Sequence, residues 1–318
     1  MISEKDIKYK SVIFISAEEP RSLSVRSGEL LLSDKSGTTQ TRFPFQKIAA
    51  VFIAGSCTLS SPMLEKLSGN AVPLCLMKAS LRPVLWMAHM AEANYLLRKK
   101  QYALSNEDIS VARVLIANKI ENQGSLLRRL PCKDESSLER IDALKDGALS
   151  SADYTTLMKT EAHAAKLFFR TWFASLRWSS RKPRLKSDPV NAALDIGYTV
   201  LFNYIEANLR LFGFDLYVGV FHREWFRRKS LVCDMMEPFR CIIDRETLAD
   251  FRGKVFRNSD FEYKDGQYLL KNEYRTKYYR NYVEAITIYK MEIFKYIRDY
   301  YRCFMKGSSP DAYPRFKI

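Results

Sequence analysis

The apolar residues change their spacing part-way along the chain, and that change limits the available folds more than any motif does. Up to about residue 80 they alternate or run in short blocks broken by turn residues, the pattern of strands. From about Met90 they recur at i, i+3, i+4 and i+7, the period of helices with one buried face. Val12 to Ile15 reads as a strand, then Leu23 and Val25 in alternation, with Gly28-Glu29 as a turn. Leu30 to Leu32 follows, with a hairpin turn at Asp34-Lys35-Ser36-Gly37 and a further strand from Ile48 to Ile53. Together these predict a small antiparallel sheet. Ser61 and Pro62 have the chemistry of an N-cap and first helical position, Gly69-Asn70 ends that helix, and Val72 to Met77 is the next strand. The helical stretches are Val111 to Leu130, Thr155 to Leu176, Asn191 to Phe212 and Glu273 to Phe304.

The expected fold class is α+β: a small N-terminal β-rich domain over residues 1–90, then a larger all-α domain over 91–318. A length of 318 residues suits two domains. Segment 131–153, with Pro131, Lys133-Asp134-Glu135-Ser136-Ser137 and Gly147, reads as a hinge between helices, and 179–189 as an exposed basic loop. No internal repeat is present. A small sheet with one helix leaves a face or edge to cover, which predicts a homodimer built through the N-terminal domain.

Charge narrows the partners. There are 51 Lys and Arg against 36 Asp and Glu, a net +15, which favours a polyanion over an acidic or neutral small substrate. The longest uncharged run, Ile48 to Leu64, is cut by Gly55, Ser56, Ser60, Ser61 and Pro62 and does not make a spanning helix, so no membrane partner is expected. No signal peptide is legible at the N-terminus, which predicts a soluble, cytoplasmic protein. The six cysteines never form C-x-x-C, and Walker A and G-x-G-x-x-G spacings are absent, against zinc fingers, ATPases and dinucleotide enzymes. With three histidines, any metal site must draw mainly on carboxylates.

The positive surplus is concentrated. Between Glu161 and Asp188 stand Lys166, Arg170, Arg177, Arg181, Lys182, Arg184 and Lys186 with no acid among them, and Arg223, Arg227, Arg228 and Lys229 lie beside His222. Such runs are either solvated faces or phosphate contacts. Ten tyrosines between Tyr263 and Tyr301, interleaved with Lys and Arg, either stack bases or pack a helix pair.

The most informative segment runs from Gly219 to Arg240. Ser230 reads as an N-cap, and Asp234 and Glu237, three residues apart, then lie ~60° apart around one helix. They are either a solvated acidic face or two carboxylates whose repulsion a cation relieves. With His222 brought to that face, an O,O,N site for Mn²⁺ or Mg²⁺ results.

Ser230-Leu231 followed by Asp234-Met235-Met236-Glu237-Pro238-Phe239-Arg240, downstream of Phe221-His222, resembles the signature of the CRISPR-associated integrase, the catalytic subunit of the spacer-acquisition complex. The resemblance extends to Ile48 to Ile53 with Gly55 to Pro62, to Lys119-Ile120-Glu121-Asn122-Gln123, and to Asp188-Pro189-Val190-Asn191-Ala192-Ala193-Leu194 with Gly197-Tyr198, covering about residues 12 to 245. It implies that Glu161, His222 and Glu237 are metal ligands and that Asp234 is an additional catalytic acid. The chain departs from the family pattern at Ala162 and Phe168.

The implied reaction is phosphoryl transfer dependent on Mn²⁺ or Mg²⁺. The 3′-hydroxyl of a short double-stranded DNA, the prespacer, attacks a phosphodiester in CRISPR repeat DNA with no protein nucleophile. Partners implied with it are a second copy of the chain and a small companion subunit. Lys166, Arg170, Arg181, Lys182, Arg184, Lys186, Arg223, Arg227, Arg228 and Lys229 are the expected nucleic-acid contacts, while Arg240 either meets phosphate or pairs with a core acid. A tyrosine recombinase lacks support, since Trp225 stands where its H-x-x-R arginine would be. The other reading is a non-catalytic nucleic-acid scaffold, which has no use for Glu161, His222 and Glu237 together.

Overall fold

The computed structural model describes residues 3–88, 93–105, 107–131 and 134–318. A short α1 (Glu4–Tyr9) precedes β1 (Ser11–Arg26), β2 (Glu29–Ser33), β3 (Thr39–Pro44), β4 (Ile48–Leu59), α2 (Ser61–Gly69), β5 (Leu74–Met77) and β6 (Pro83–Met87). The six strands form one sheet in the order β3-β2-β1-β4-β5-β6. The expected antiparallel sheet is instead mixed: β1 with β4 and β4 with β5 are parallel. The apolar run of β4 is the reason. Val51 and Ile53 pack with Met63 and Leu67 of α2, while Ala50, Phe52 and Ala54 join the core beneath the helices, so the strand is buried on both faces. Central parallel strands have that composition, and α2 supplies the crossover between β4 and β5.

Other boundaries shift for local reasons. Val12 to Ile15 and Leu23-Val25 belong to one long strand with register shifts, not two. The first hairpin turns at Ser27-Gly28, both at positive φ, and β2 already begins at Glu29. The N-cap of α2 is Ser60, one residue earlier than expected. β6, an edge strand, had no legible alternation.

The helical part comprises α3 (Tyr95–Tyr102), α4 (Ser110–Leu127), α5 (Glu135–Leu149), α6 (Tyr154–Trp172), α7 (Pro189–Phe212), α8 (Ser230–Met236), α9 (Arg240–Arg252), a small hairpin of β7 (Phe261–Lys264) and β8 (Gln267–Leu270), α10 (Arg275–Ile288) and α11 (Lys290–Lys306). A β-rich N-terminal part followed by a helical one is the expected α+β class. The expected boundary between residues 90 and 91 falls outside the described residues, as do Cys132 and Lys133 of the expected hinge.

That hinge holds a helix. Asp134 caps α5 by accepting from the Ser137 N–H and Oγ, and Leu138, Ile141 and Ala148 are buried. The polar run that suggested a loop is a helix start. The single stretch expected from Glu273 to Phe304 divides at Tyr289 into α10 and α11. Tyr278, Tyr282, Tyr296 and Tyr300 are buried between helices, and the Tyr278 hydroxyl donates to Asp260, so these rings pack the fold and are not available for stacking bases.

α7 is the central helix. Asp188 caps it and Pro189 opens it. At Gly197 an added Cβ would lie 2.5 Å from Ile243 and 2.8 Å from Tyr282, so glycine is what lets α7 approach α9 and α10 this closely.

Candidate active site

The neighbours of α7 enclose a cleft of about 1100 Å³. α4 contributes Lys119 and Gln123 to it, and α6 contributes Glu161, Ala162, Ala165, Lys166, Phe169 and Arg170, one face of a helix. α7 contributes Asp195, Tyr198 and Thr199, and the segment 222–244 contributes His222, Cys233, Met236, Glu237, Arg240 and Asp244. The 179–189 loop closes one side with Arg181, Arg184 and Lys186. Arg82 included, eight lining side chains are cationic and four are carboxyls, so the cleft favours an anionic ligand.

Asp234 and Glu237 are 0% and 3% exposed, which removes the reading of a solvated acidic face. They do not share one helix face: α8 ends at Met236, and Glu237 opens a 3₁₀ turn through Phe239 that Pro238 favours. Ser230 is the first residue of α8, not its cap, and its hydroxyl donates to the Arg223 carbonyl.

Asp234 faces the loop and does not line the cleft. Its Oδ2 accepts from the Val220 and Phe221 N–H groups at 2.6 and 3.0 Å, and its Oδ1 from the His222 N–H at 2.8 Å. His222 Nδ1 lies 2.6 Å from the same Oδ1. A carboxylate only accepts, so Nδ1 carries the proton on that side and the ring turns Nε2 inward, 4.0 Å from Glu237 Oε1. Gly219 is required here, because a Cβ would sit 2.5 Å from Asp234 Oδ2.

Glu237 is also met by Lys119 Nζ at 2.6 Å and Arg240 Nε at 2.9 Å, both at Oε2, with neither contact in hydrogen-bond geometry. Burial alone would push the Glu237 carboxyl up; Arg240, Lys119 and His222 together outweigh it and hold it at about 2. The Lys119 ammonium pairs with Glu161 as well. Burial works against its charge, but Glu161 and Glu237 raise its pKa above the ordinary lysine value, so it is a cation. Arg240 and Arg181 flank the ring of Tyr198, and the Tyr198 hydroxyl donates to Asp244. Burial pushes the Asp244 carboxyl up to about 7.

Glu161, His222 and Glu237 are therefore brought together. Arg240 pairs with the acid while still lining the cleft. Lys166 and Arg170 are exposed along the cleft wall, with Lys182 and Arg184 exposed on the loop. Arg181 is different: it pairs with Asp195 and donates to Asn191 Oδ1 at 2.9 Å, so it holds the loop to α7 instead of contributing little to packing. Arg223, Arg227, Arg228 and Lys229 do not line the cleft. Arg223 covers the Tyr154 ring, Arg227 the exposed Phe226 ring, and Arg228 donates to the Arg223 carbonyl. Lys229 neutralises the fully buried Glu206 together with Arg210.

Lys119 was missed as a site residue. The signal was present: Asn118, Lys119 and Asn122 stand among Leu115, Ile116, Ala117 and Ile120 on a largely buried helix, and such polar groups persist inside a core when paired. Asn118 and Asn122 hold the Phe316 and Ile318 backbone against α4.

Two carboxylates and an imidazole nitrogen form a donor set suited to a hard divalent cation such as Mn²⁺ or Mg²⁺, and the buried Glu237 Oε2 lacks a directed hydrogen bond. The residues fit such an ion chemically. Among the described residues no three His, Cys, Asp or Glu side chains stand at ligating separation, and the Lys119 ammonium bridges Glu161 and Glu237.

The family model for the CRISPR associated protein Cas1 matches residues 15–284. A CRISPR-associated endonuclease Cas1 from Thermodesulfovibrio yellowstonii is 28% identical over 277 residues, covering 81% of this chain and 87% of the relative. A casposase bound to integration product shares the fold at a TM-score of 0.76 and 16% identity, over 96% of this chain and 94% of the other. A chain of a Cas6-RT-Cas1–Cas2 complex does so at a TM-score of 0.78 and 17% identity, over 97% of this chain and 36% of that longer one.

Proposed function

Because the chain belongs to the CRISPR-associated protein Cas1 family, we propose that it is a metal-dependent DNA integrase and endonuclease that inserts short DNA fragments into a CRISPR array. The observation that carries this reading is the convergence of Glu161, His222 and Glu237 on the floor of a predominantly cationic cleft. A casposase bound to integration product, similar in fold, supports it. The 3′-hydroxyl of a prespacer end attacks a phosphodiester of the repeat; one P–O bond forms as another breaks, and the leaving 3′-oxygen remains on the cut strand. Glu161, His222 and Glu237 would hold Mn²⁺ or Mg²⁺, which when bound would supply polarisation of the attacked phosphate and stabilisation of the leaving oxygen.

The chain's own residues do the rest. Asp234 fixes the tautomer and aim of His222 through Nδ1. Arg240 keeps Glu237 ionised, and Lys166, Arg170, Arg184 and Lys186 align the DNA backbone along the cleft. No protein nucleophile is needed; the thiol that lines the cleft, Cys233, is pushed up to about 11 by burial.

One chain holds one such cleft, so joining both ends of a fragment calls for a homodimer, assembled through residues 1–90. β6 is an open sheet edge with Val84 and Leu85 exposed at 66% and 48%, which supports that placement. A fold neighbour is part of a Cas6-RT-Cas1–Cas2 complex, and we extend a small companion subunit to this chain. No described helix is long and apolar enough to cross a membrane, and the proposed place of action is DNA in the cytoplasm.

The test is strand transfer by the purified chain on a labelled duplex with free 3′ ends and a repeat-bearing target, with and without a companion subunit. Joined products that require Mn²⁺ or Mg²⁺ support the reading. Equal products in a chelator would remove the metal. DNA binding with no joining under any of these conditions would favour a scaffold.

A further inference from the structure

A lysine ammonium buried in a protein is costly unless its charge is answered, and Lys119, 8% exposed on α4, is answered by two carboxylates from two other elements. Those carboxylates, Glu161 and Glu237, are two of the three groups assigned above to the metal. A cation between two carboxylates cancels their repulsion whether it is an ammonium or a divalent ion, but the two do not fit the same bridging position. The other neighbours set the constraint. Arg240 already contacts Glu237 Oε2, and His222 Nδ1 is committed to Asp234, so Lys119 is the group that links Glu161 to the rest of the site.

We infer that Lys119 is the resident counter-cation of this site: it holds Glu161 and Glu237 together when no metal is bound and must leave their bridging position for a divalent ion to enter. Metal loading is then an exchange, not a simple addition. This rests on the metal reading given under Proposed function. Lys119 is a positioning residue here. Its flexible four-carbon stem borders the open cleft, which leaves the displaced ammonium room to turn.

The experiment measures Mn²⁺ binding by calorimetry and thermal unfolding without and with Mn²⁺, on the full chain, for wild type, Lys119→Met, Lys119→Gln and Lys119→Arg. Removing the competing cation should tighten Mn²⁺ binding in Lys119→Met on the order of tenfold to a hundredfold. The same variant should melt several degrees lower without metal and recover fully when Mn²⁺ saturates it. Lys119→Arg keeps the charge and should bind Mn²⁺ no more tightly than wild type. Should Lys119→Met not fold, Lys119→Gln, which keeps a hydrogen-bonding end, carries the same expectation. Mn²⁺ affinity unchanged or weakened in the neutral variants overturns the exchange while leaving the metal reading intact. Failure of every variant and of wild type to bind Mn²⁺ or Mg²⁺ removes the metal reading itself, and the exchange with it.

Discussion

At the floor of the cleft Lys119, Glu161, Glu237 and Arg240 are all ion-paired, and Glu237 is nearly without exposure. Along its wall and rim Lys166, Arg170, Lys182, Arg184 and Lys186 form no ion pair among the described residues. The two regions use charge differently. A paired buried charge specifies geometry, because moving any member leaves another uncompensated in a poorly solvated place. An unpaired charge on a rim specifies little beyond attraction for a polyanion, and salt weakens it.

The sharpest way to break this comparison is at the floor. Glu237→Ala, Glu161→Ala and His222→Ala should each lower metal-dependent strand transfer by about a hundredfold or more, while DNA affinity, measured by fluorescence anisotropy, stays near wild type. Glu237→Ala also leaves Arg240 without an ion-pair partner and Lys119 with Glu161 alone, so its unfolding free energy should fall by about 3–5 kcal/mol, with Glu237→Gln milder. Near wild-type joining by any of the three would remove that residue from the site.

Asp234 tests the next layer. It touches no cleft surface yet carries His222 and three loop N–H groups, so Asp234→Ala should cost about 10- to 100-fold in strand transfer through misplacement of the imidazole. Full activity would mean that the ring holds its aim without the carboxylate.

At the rim, reversing Lys182, Arg184 and Lys186 to Glu should weaken DNA binding and flatten the slope of log affinity against log salt by roughly 0.9 for each phosphate no longer neutralised. Their melting temperature should barely change. Arg181→Glu should do the opposite, losing stability because it repels Asp195, and a rim-like response there would contradict its pairing.

The smallest effect concerns pH. Asp244 has its carboxyl raised to about 7 in the fold against 3.8 for a free one, so the folded state holds its proton longer. Its contribution is fully present below about pH 3.8, declines as pH rises, and is lost once pH has passed through 7. Asp244→Asn should therefore gain melting temperature over wild type increasingly from pH 5 to pH 8. A pH-independent offset would show that desolvation is not what the carboxyl experiences.

Much of the floor was legible because its residues are chemically unusual for their surroundings. His222, Asp234 and Glu237 crowd a short segment, and the resemblance placed Glu161 on a distant helix beside them. Lys119 was harder to find, since one lysine inside an apolar helix resembles an ordinary interruption until its two acids are seen around it. Arg181 and Lys229 were read with their neighbours as phosphate contacts, because a run of basic residues does not reveal which member meets Asp195 or Glu206. α5 was hidden by turn-forming residues that proved to be its cap.

What this sequence determined alone is what local chemistry can encode: strand spacing giving way to helical spacing, the hairpin turn at Asp34 to Gly37, and a positive surplus suited to a polyanion. Only the tertiary structure decided the parallel pairing of β1, β4 and β5, the division of basic residues into paired and free, and the bridge from Lys119 to Glu161 and Glu237. The physical reason is distance along the chain. Periodicity and capping act over a few residues, whereas the partner of a buried charge is chosen by whichever helix packs against it.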